Sequence, residues 1–125
     1  MIQISLALLL LASPLPSPVA ANPADRLKVA FGNTVVSTYP DGRMGKLWLK
    51  PDGSYSGAGR RNTPSSGKWS LKGDKICLKQ QKPMAGPFSY CTDVPTGGIG
   101  TEWPSRAVTG EKTRVMVVSG IQRAP

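Results

Sequence analysis

The sequence contains no histidine, only two cysteines, and only seven acidic residues among 125. Without histidine the commonest general base at neutral pH is missing, and with it any Ser-His or Cys-His nucleophile pair. Two cysteines unaccompanied by histidine make a poor zinc site, so neither a metal nor a cofactor is expected. Asp41, Asp52 and Asp74 each sit in a turn, which leaves Asp93, Glu102 and Glu111 as other candidate acids. No spacing among them suggests the carboxylate pair of a glycosidase, and no glycine loop of the phosphate-binding kind precedes a helix. A non-enzymatic protein is therefore expected. Aromatics are scarce as well, at 6%. With so few, a small barrel is expected to be filled by its own side chains rather than by a ligand.

Long apolar runs are also missing. Ile4–Ala12 is too short to span a bilayer but has the length of a signal-peptide core. Pro14, Pro16 and Pro18 follow, then the small residues Val19-Ala20-Ala21, so residues 1–21 read as a signal peptide and Asn22 as the mature start. Met1-Ile2-Gln3 supplies no lysine or arginine to its front end. The expected location is the periplasm or the exterior, where disulfides persist. Residues 22–120 then form a single β domain and residues 121–125 a flexible tail.

The stretch Gly67–Val94 organises the rest. Gly73-Asp74 between two alternating runs signals a two-residue hairpin. Centred there, the hairpin sets Lys72 opposite Lys75, Leu71 opposite Ile76, Ser70 opposite Cys77, Trp69 opposite Leu78 and Lys68 opposite Lys79. Side chains alternate along a strand, so Trp69, Leu71, Ile76 and Leu78 share an apolar face and the four lysines share a wet one. Placing Cys77 opposite Cys91 aligns Leu78 with Tyr90, Ile76 with Thr92 and Lys75 with Asp93. It also brings Tyr90 and Phe88 to the apolar side. Directly opposed residues have the close Cβ atoms that a disulfide needs, so a Cys77–Cys91 bond is expected.

Upstream, Asn22–Phe31 reads as one short helix that covers an end of the sheet, with Leu27, Ala30 and Phe31 on one side. Pro40-Asp41-Gly42 and Pro51-Asp52-Gly53 are two turns of the same design, eleven residues apart. The runs around them, Thr34–Tyr39, Gly45–Lys50 and Ser54–Gly59, read as successive strands. Three-residue loops put Leu49 against Tyr55, Leu47 against Gly57 and Val35 against Leu47. Trp48 then faces outward between Lys46 and Lys50, and Gly57 and Gly59 suggest a bend, a bulge or a large side chain packed over them. Arg60–Ser66 reads as a polar loop, and Pro95–Ser105 as a long irregular stretch holding Glu102 and Trp103. The last two strands are expected at Arg106–Thr109 and Thr113–Ser119, around Gly110-Glu111-Lys112. Arg114–Val118 is apolar on both faces, which suits a central or closing strand.

About eight short strands joined by tight turns imply an all-β fold, an up-and-down antiparallel meander forming a small barrel or strongly curved sheet. A two-sheet sandwich is the alternative.

The formal net charge is +9, all of it outside residues 1–21, and the pI is about 10.0. Like charges opposed across a ladder repel. The pairs Lys68/Lys79 and Lys72/Lys75, with Asp93 alone placed to relieve them, therefore define a basic face. Arg60, Arg61 and Lys50 extend it, and Trp48 is the residue to stack on a ligand. These residues are the candidate binding site for an anionic envelope polymer: lipopolysaccharide, anionic polysaccharide or a membrane surface. Nucleic acid is the least expected partner for an exported protein.

The signals Phe31-Gly32-Asn33-Thr34, Asp52-Gly53, Gly67-Lys68-Trp69, Asp74-x-x-Cys77 and Cys91 together resemble small periplasmic or secreted β proteins of proteobacteria, over roughly the whole chain after residue 21. That resemblance implies an exported β domain and carries no activity with it. More loosely, a Gly-x-Trp strand followed by a cysteine hairpin is similar to avidin-like and lipocalin-like barrels. A small apolar ligand inside a barrel lined by Trp69, Leu71, Tyr90 and Phe88 is the alternative function. A structural or partner-binding envelope role is the third. Periplasmic lysozyme inhibitors share the scale, but their Ser-Gly-x-Arg-Tyr loop is missing; Ser56-Gly57-Ala58-Gly59-Arg60 keeps only its first two residues.

Overall fold

The structure, a computed structural model, describes residues 22–86 and 89–122. The expected signal peptide, Phe88 and the last three residues lie outside that range. Asn22 caps a short helix, α1 (Pro23–Leu27), by accepting the Asp25 amide on its side chain at 2.9 Å, with Pro23 at the first helical position. A 3-10 turn (Lys28–Ala30) continues it into the sheet. Eight strands follow: β1 (Thr34–Thr38), β2 (Met44–Leu49), β3 (Ser54–Ala58), β4 (Pro64–Lys72), β5 (Lys75–Lys82), β6 (Tyr90–Asp93), β7 (Glu102–Arg106) and β8 (Lys112–Val118).

They form one antiparallel sheet in the order β6-β5-β4-β3-β2-β1-β8-β7. The sheet curls into a nearly closed barrel whose seam lies between β6 and β7. Among the described residues no ladder closes the seam. Instead the Thr92 and Ser105 hydroxyls meet at 2.9 Å, and the Tyr90 hydroxyl donates to the Arg106 carbonyl. The sandwich alternative is thereby set aside.

The central hairpin has the register its pattern demands. Lys72 faces Lys75, Leu71 faces Ile76, Trp69 faces Leu78, and Lys68 faces Lys79. Cys77 faces Cys91, Ile76 faces Thr92, and Lys75 faces Asp93. A disulfide joins Cys77 and Cys91, with Cα atoms 4.0 Å apart. The two Pro-Asp-Gly turns are built alike. Asp41 accepts the Arg43 amide and Asp52 the Ser54 amide, each at 2.9 Å, while Gly42 and Gly53 take positive φ of 84° and 91°. Leu49 pairs with Tyr55, Leu47 with Gly57, and Val35 with Leu47.

Two boundaries differ from the expectation. Strand β4 begins at Pro64, not Gly67, because Pro64, Ser65 and Ser66 pair with Ala58, Gly57 and Ser56. The loop shrinks to Arg60–Thr63, turned by Asn62 at φ 59°. The expected irregularity falls at the register shift between Ser66 and Gly67 rather than at Gly57 or Gly59. There the β5 backbone comes so close that a Cβ on Gly67 would lie 2.0 Å from the Lys79 carbonyl oxygen.

The second difference is at the C-terminal hairpin. Strand β7 is Glu102–Arg106, so Trp103 lies in a strand, paired with Val115, rather than in an irregular loop. The turn covers Ala107–Glu111 and closes with Gly110 at φ 86°. Pro104 is accommodated because β7 stands at an edge of the hydrogen-bonded order, where a missing N–H costs no ladder bond. Strand β8, by contrast, runs centrally between β1 and β7.

The chain crosses the barrel alternately, so α1, the Lys50–Gly53 and Gly73-Asp74 turns and the residues after β6 and β8 gather at one end. The loops after β1, β3, β5 and β7 gather at the other. The first end is plugged. Leu27 and Ala30 are buried against Val35, Leu49, Val94 and Val117, and the Phe31 and Trp69 rings lie 5.9 Å apart. The Trp69 indole N–H donates to the Lys50 carbonyl at 2.8 Å. Thr34 ties this end together: its hydroxyl donates to the Gly120 carbonyl and accepts the Trp48 indole N–H and the Gln122 amide. Asn33 beside it accepts the Gly120 amide and donates to the Val29 carbonyl. Gln122, within the tail expected to be flexible, and Gly120 just before it are therefore held. Among the described residues no helix is long and apolar enough to cross a membrane.

Candidate ligand-binding site

The other end is open. Below it the barrel encloses a cavity of about 650 Å³, within the usual size of small-molecule sites. The expected filled interior is not what forms, and the reason lies in residue size. Inward positions near the plugged end carry Leu49, Tyr55, Ile76, Trp103 and Val115, which meet across the barrel. Inward positions nearer the opening carry Ser37, Gly45, Gly57 and Ser65, which leave the space between the walls empty.

Apart from Lys46 and Asp93, the polar lining is uncharged: hydroxyls of Ser37, Tyr39, Tyr90 and Ser105 and the Gln80 amide. Tyr39 folds over Gly45, its ring 3.6 Å from where a Cβ would stand. Burial first, and the neighbouring Tyr90 next, raise its pKa, so Tyr39 remains a neutral phenol at physiological pH. Trp103 also lines the cavity, and its buried indole N–H has no acceptor among the described residues. A buried donor without a partner is costly and demands an explanation.

Arg60 holds three of the rim loops together. It donates to both Glu111 oxygens at 2.7 and 3.1 Å, pairs with Asp41 at 3.0 Å, and lies 4.5 Å over the Tyr39 ring. The pairing lowers the Glu111 pKa, chiefly through the Arg60 hydrogen bond. Asp41 is lowered first by the Arg43 amide and then by Arg60.

The residues predicted as one basic site separate into groups. Lys68, Lys72, Lys75 and Lys79 share the outer face of the β4–β5 hairpin, and Lys50 lies beside them in the turn that hydrogen-bonds to Trp69. Lys75 pairs with Asp93, which raises the lysine pKa. Arg60 and Arg61 stand at the opposite, open end, and the Arg60 charge is occupied by two carboxylates. Trp48 faces outward on β2, two strands from β4, with its indole N–H bonded to Thr34. Of the expected lining residues Tyr90 borders the cavity, whereas Trp69 and Leu71 pack against the core; Tyr39 and Trp103 give no functional signal in the sequence, because only the closure of the barrel brings them to the same cavity. Among the described residues no group of three or more His, Cys, Asp or Glu side chains could hold a metal. The chain matches no protein-family profile, no curated protein and no solved structure.

Proposed function

We propose that this protein is a non-enzymatic carrier or sensor, exported to the periplasm or beyond, whose barrel takes a small, mostly apolar, uncharged molecule bearing a hydrogen-bond acceptor. One observation carries the reading: a cavity of about 650 Å³, open at one end, with apolar walls and uncharged hydroxyl and amide groups around it. The leucine, isoleucine and valine walls favour an apolar body. The neutral hydroxyls and the Gln80 amide suit an uncharged polar group. Native mass spectrometry of protein purified from the cells that make it tests this. A discrete adduct of a few hundred daltons, released on unfolding, is expected; the bare mass in every preparation overturns the reading.

A second reading concerns the outer face of β4 and β5. Lys68 and Lys79 are directly opposed, and neither has a carboxylate at ion-pair distance among the described residues. Repulsion of that kind is relieved by an anionic polymer. Retention on immobilised lipopolysaccharide or heparin at low salt, lost on Lys68→Glu with Lys79→Glu, supports it; no retention at low salt ends it.

A further inference from the structure

We infer that the open end of the barrel docks on an anionic bilayer surface, apolar tips inserted and the mouth facing the lipid. The observation is a difference of charge between the two ends. At the plugged end Asp25, Asp52, Asp74, Asp93 and Glu102 stand with Arg26, Lys28, Lys50, Lys72 and Lys75, so acids and cations nearly balance there. The mouth keeps just Asp41 and Glu111 of the chain's acids, and Arg60 engages both. Around that rim Arg61, Lys82, Arg106 and Lys112 are exposed and have no carboxylate at ion-pair distance among the described residues.

Apolar side chains project among these cations. Val108, in the β7–β8 turn, is 76% exposed, and Met84, in the loop after β5, is 73% exposed. Met44, at the start of β2 and so at the same end, is half exposed. Single exposed apolar residues are ordinary. The plugged end exposes Ile99 and Ile121 too, but there acids and cations nearly balance, so no net charge draws an anionic surface. At the mouth, loop-tip apolar groups and unpaired cations occur together, the combination that binds headgroups by charge while burying side chains in the acyl boundary. A soluble polyanion satisfies the cations alone and leaves Val108 and Met84 in water, so the bilayer is the better fit.

The test is co-sedimentation of the purified protein with vesicles of phosphatidylglycerol and phosphatidylcholine (1:3), against phosphatidylcholine alone. Binding to the anionic vesicles is expected, at least tenfold tighter than to neutral ones and weakened by 0.5 M salt. Val108→Asp with Met84→Asp is expected to lower it at least tenfold, and Arg61→Glu with Lys82→Glu similarly. These are exposed loop and strand-end residues, and an unchanged melting temperature verifies the fold. Lys28→Glu, exposed beside α1 at the plugged end, is expected to leave it within twofold. No vesicle binding, equal binding to neutral vesicles, retention by heparin but not by vesicles, or loss in the plugged-end variant instead of the rim variants would each overturn the inference. Vesicle binding does not depend on what the cavity holds, so it stands or falls separately from the interior site.

Discussion

The two ends of this barrel are built by opposite means. At the plugged end apolar residues from the helix, β1, β2 and β8 converge, and the polar groups among them are bonded to one another through Asn33 and Thr34. At the mouth the inward residues are small, the loops meet through surface charge, and a guanidinium over a tyrosine ring takes the place of a core. Apolar burial and buried hydrogen bonds are strong terms, while partly exposed ion pairs are weak. The contrast assigns stability to one end and leaves the other free to admit and release.

Substitutions at the plugged end carry the largest expected effects. Leu27 is 1% exposed, and Leu27→Ala is expected to cost about 3 kcal/mol by opening a cavity beneath the helix. Urea unfolding checks it; a loss under about 1 kcal/mol would mean that the helix is not part of the cooperative core. Thr34→Val strands the Trp48 indole N–H and the Gln122 amide together, for an expected loss of about 2 kcal/mol. Faster amide exchange at Gln122 should accompany it.

Much of this contrast was legible before the structure. Gly73-Asp74, the two cysteines and the alternation of lysine with Trp69, Leu71, Ile76 and Leu78 fix one register, because a slip of one residue would turn the lysines inward. The Pro-Asp-Gly turns do the same for β2 and β3. Trp103 was misplaced because Pro104 and the surrounding glycines argue locally for a loop, while the pairing that makes β7 a strand comes from β8. The cavity was illegible for a different reason. Composition gives the aromatic total but not that Ser37, Gly45, Gly57 and Ser65 fall on the same wall, which needs strand register and closure together. Arg60 read as a free cation for the same reason: Glu111 lies fifty-one residues away in sequence.

Smaller effects are expected at the mouth. Arg60→Met removes both ion pairs while keeping an aliphatic chain over Tyr39, and should lower stability by less than about 1 kcal/mol. Amides in the Tyr39–Arg43 and Ala107–Glu111 turns should nevertheless exchange faster, because the charge that ties those loops is gone. A loss comparable with Leu27→Ala would break the contrast between the ends.

The smallest effect is that of pH. Asp41 and Glu111 both have folded pKa values below their ordinary ones. A lowered acid contributes stability that is complete above its unfolded pKa, about 4, and is lost as pH falls through the folded value. Mobility at the mouth should therefore rise as pH drops below about 4, with Asp41 and Glu111 protonating before the plugged end loosens. Amide chemical shifts of Gly42 and Gly110 report it, and in Arg60→Met the transition should move up toward the ordinary carboxylate range.

Ser37 lies on the cavity wall between Gly45 and Val115, so Ser37→Trp places an indole in the empty space. Titration of protein and variant with the uncharged apolar fluorophore N-phenyl-1-naphthylamine reads occupancy of the interior. Saturable uptake of one fluorophore per barrel by the native protein, lost in Ser37→Trp at an unchanged melting temperature, is the predicted result. Absent uptake by the native protein, or equal uptake by the blocked variant, would contradict a ligand site inside this barrel.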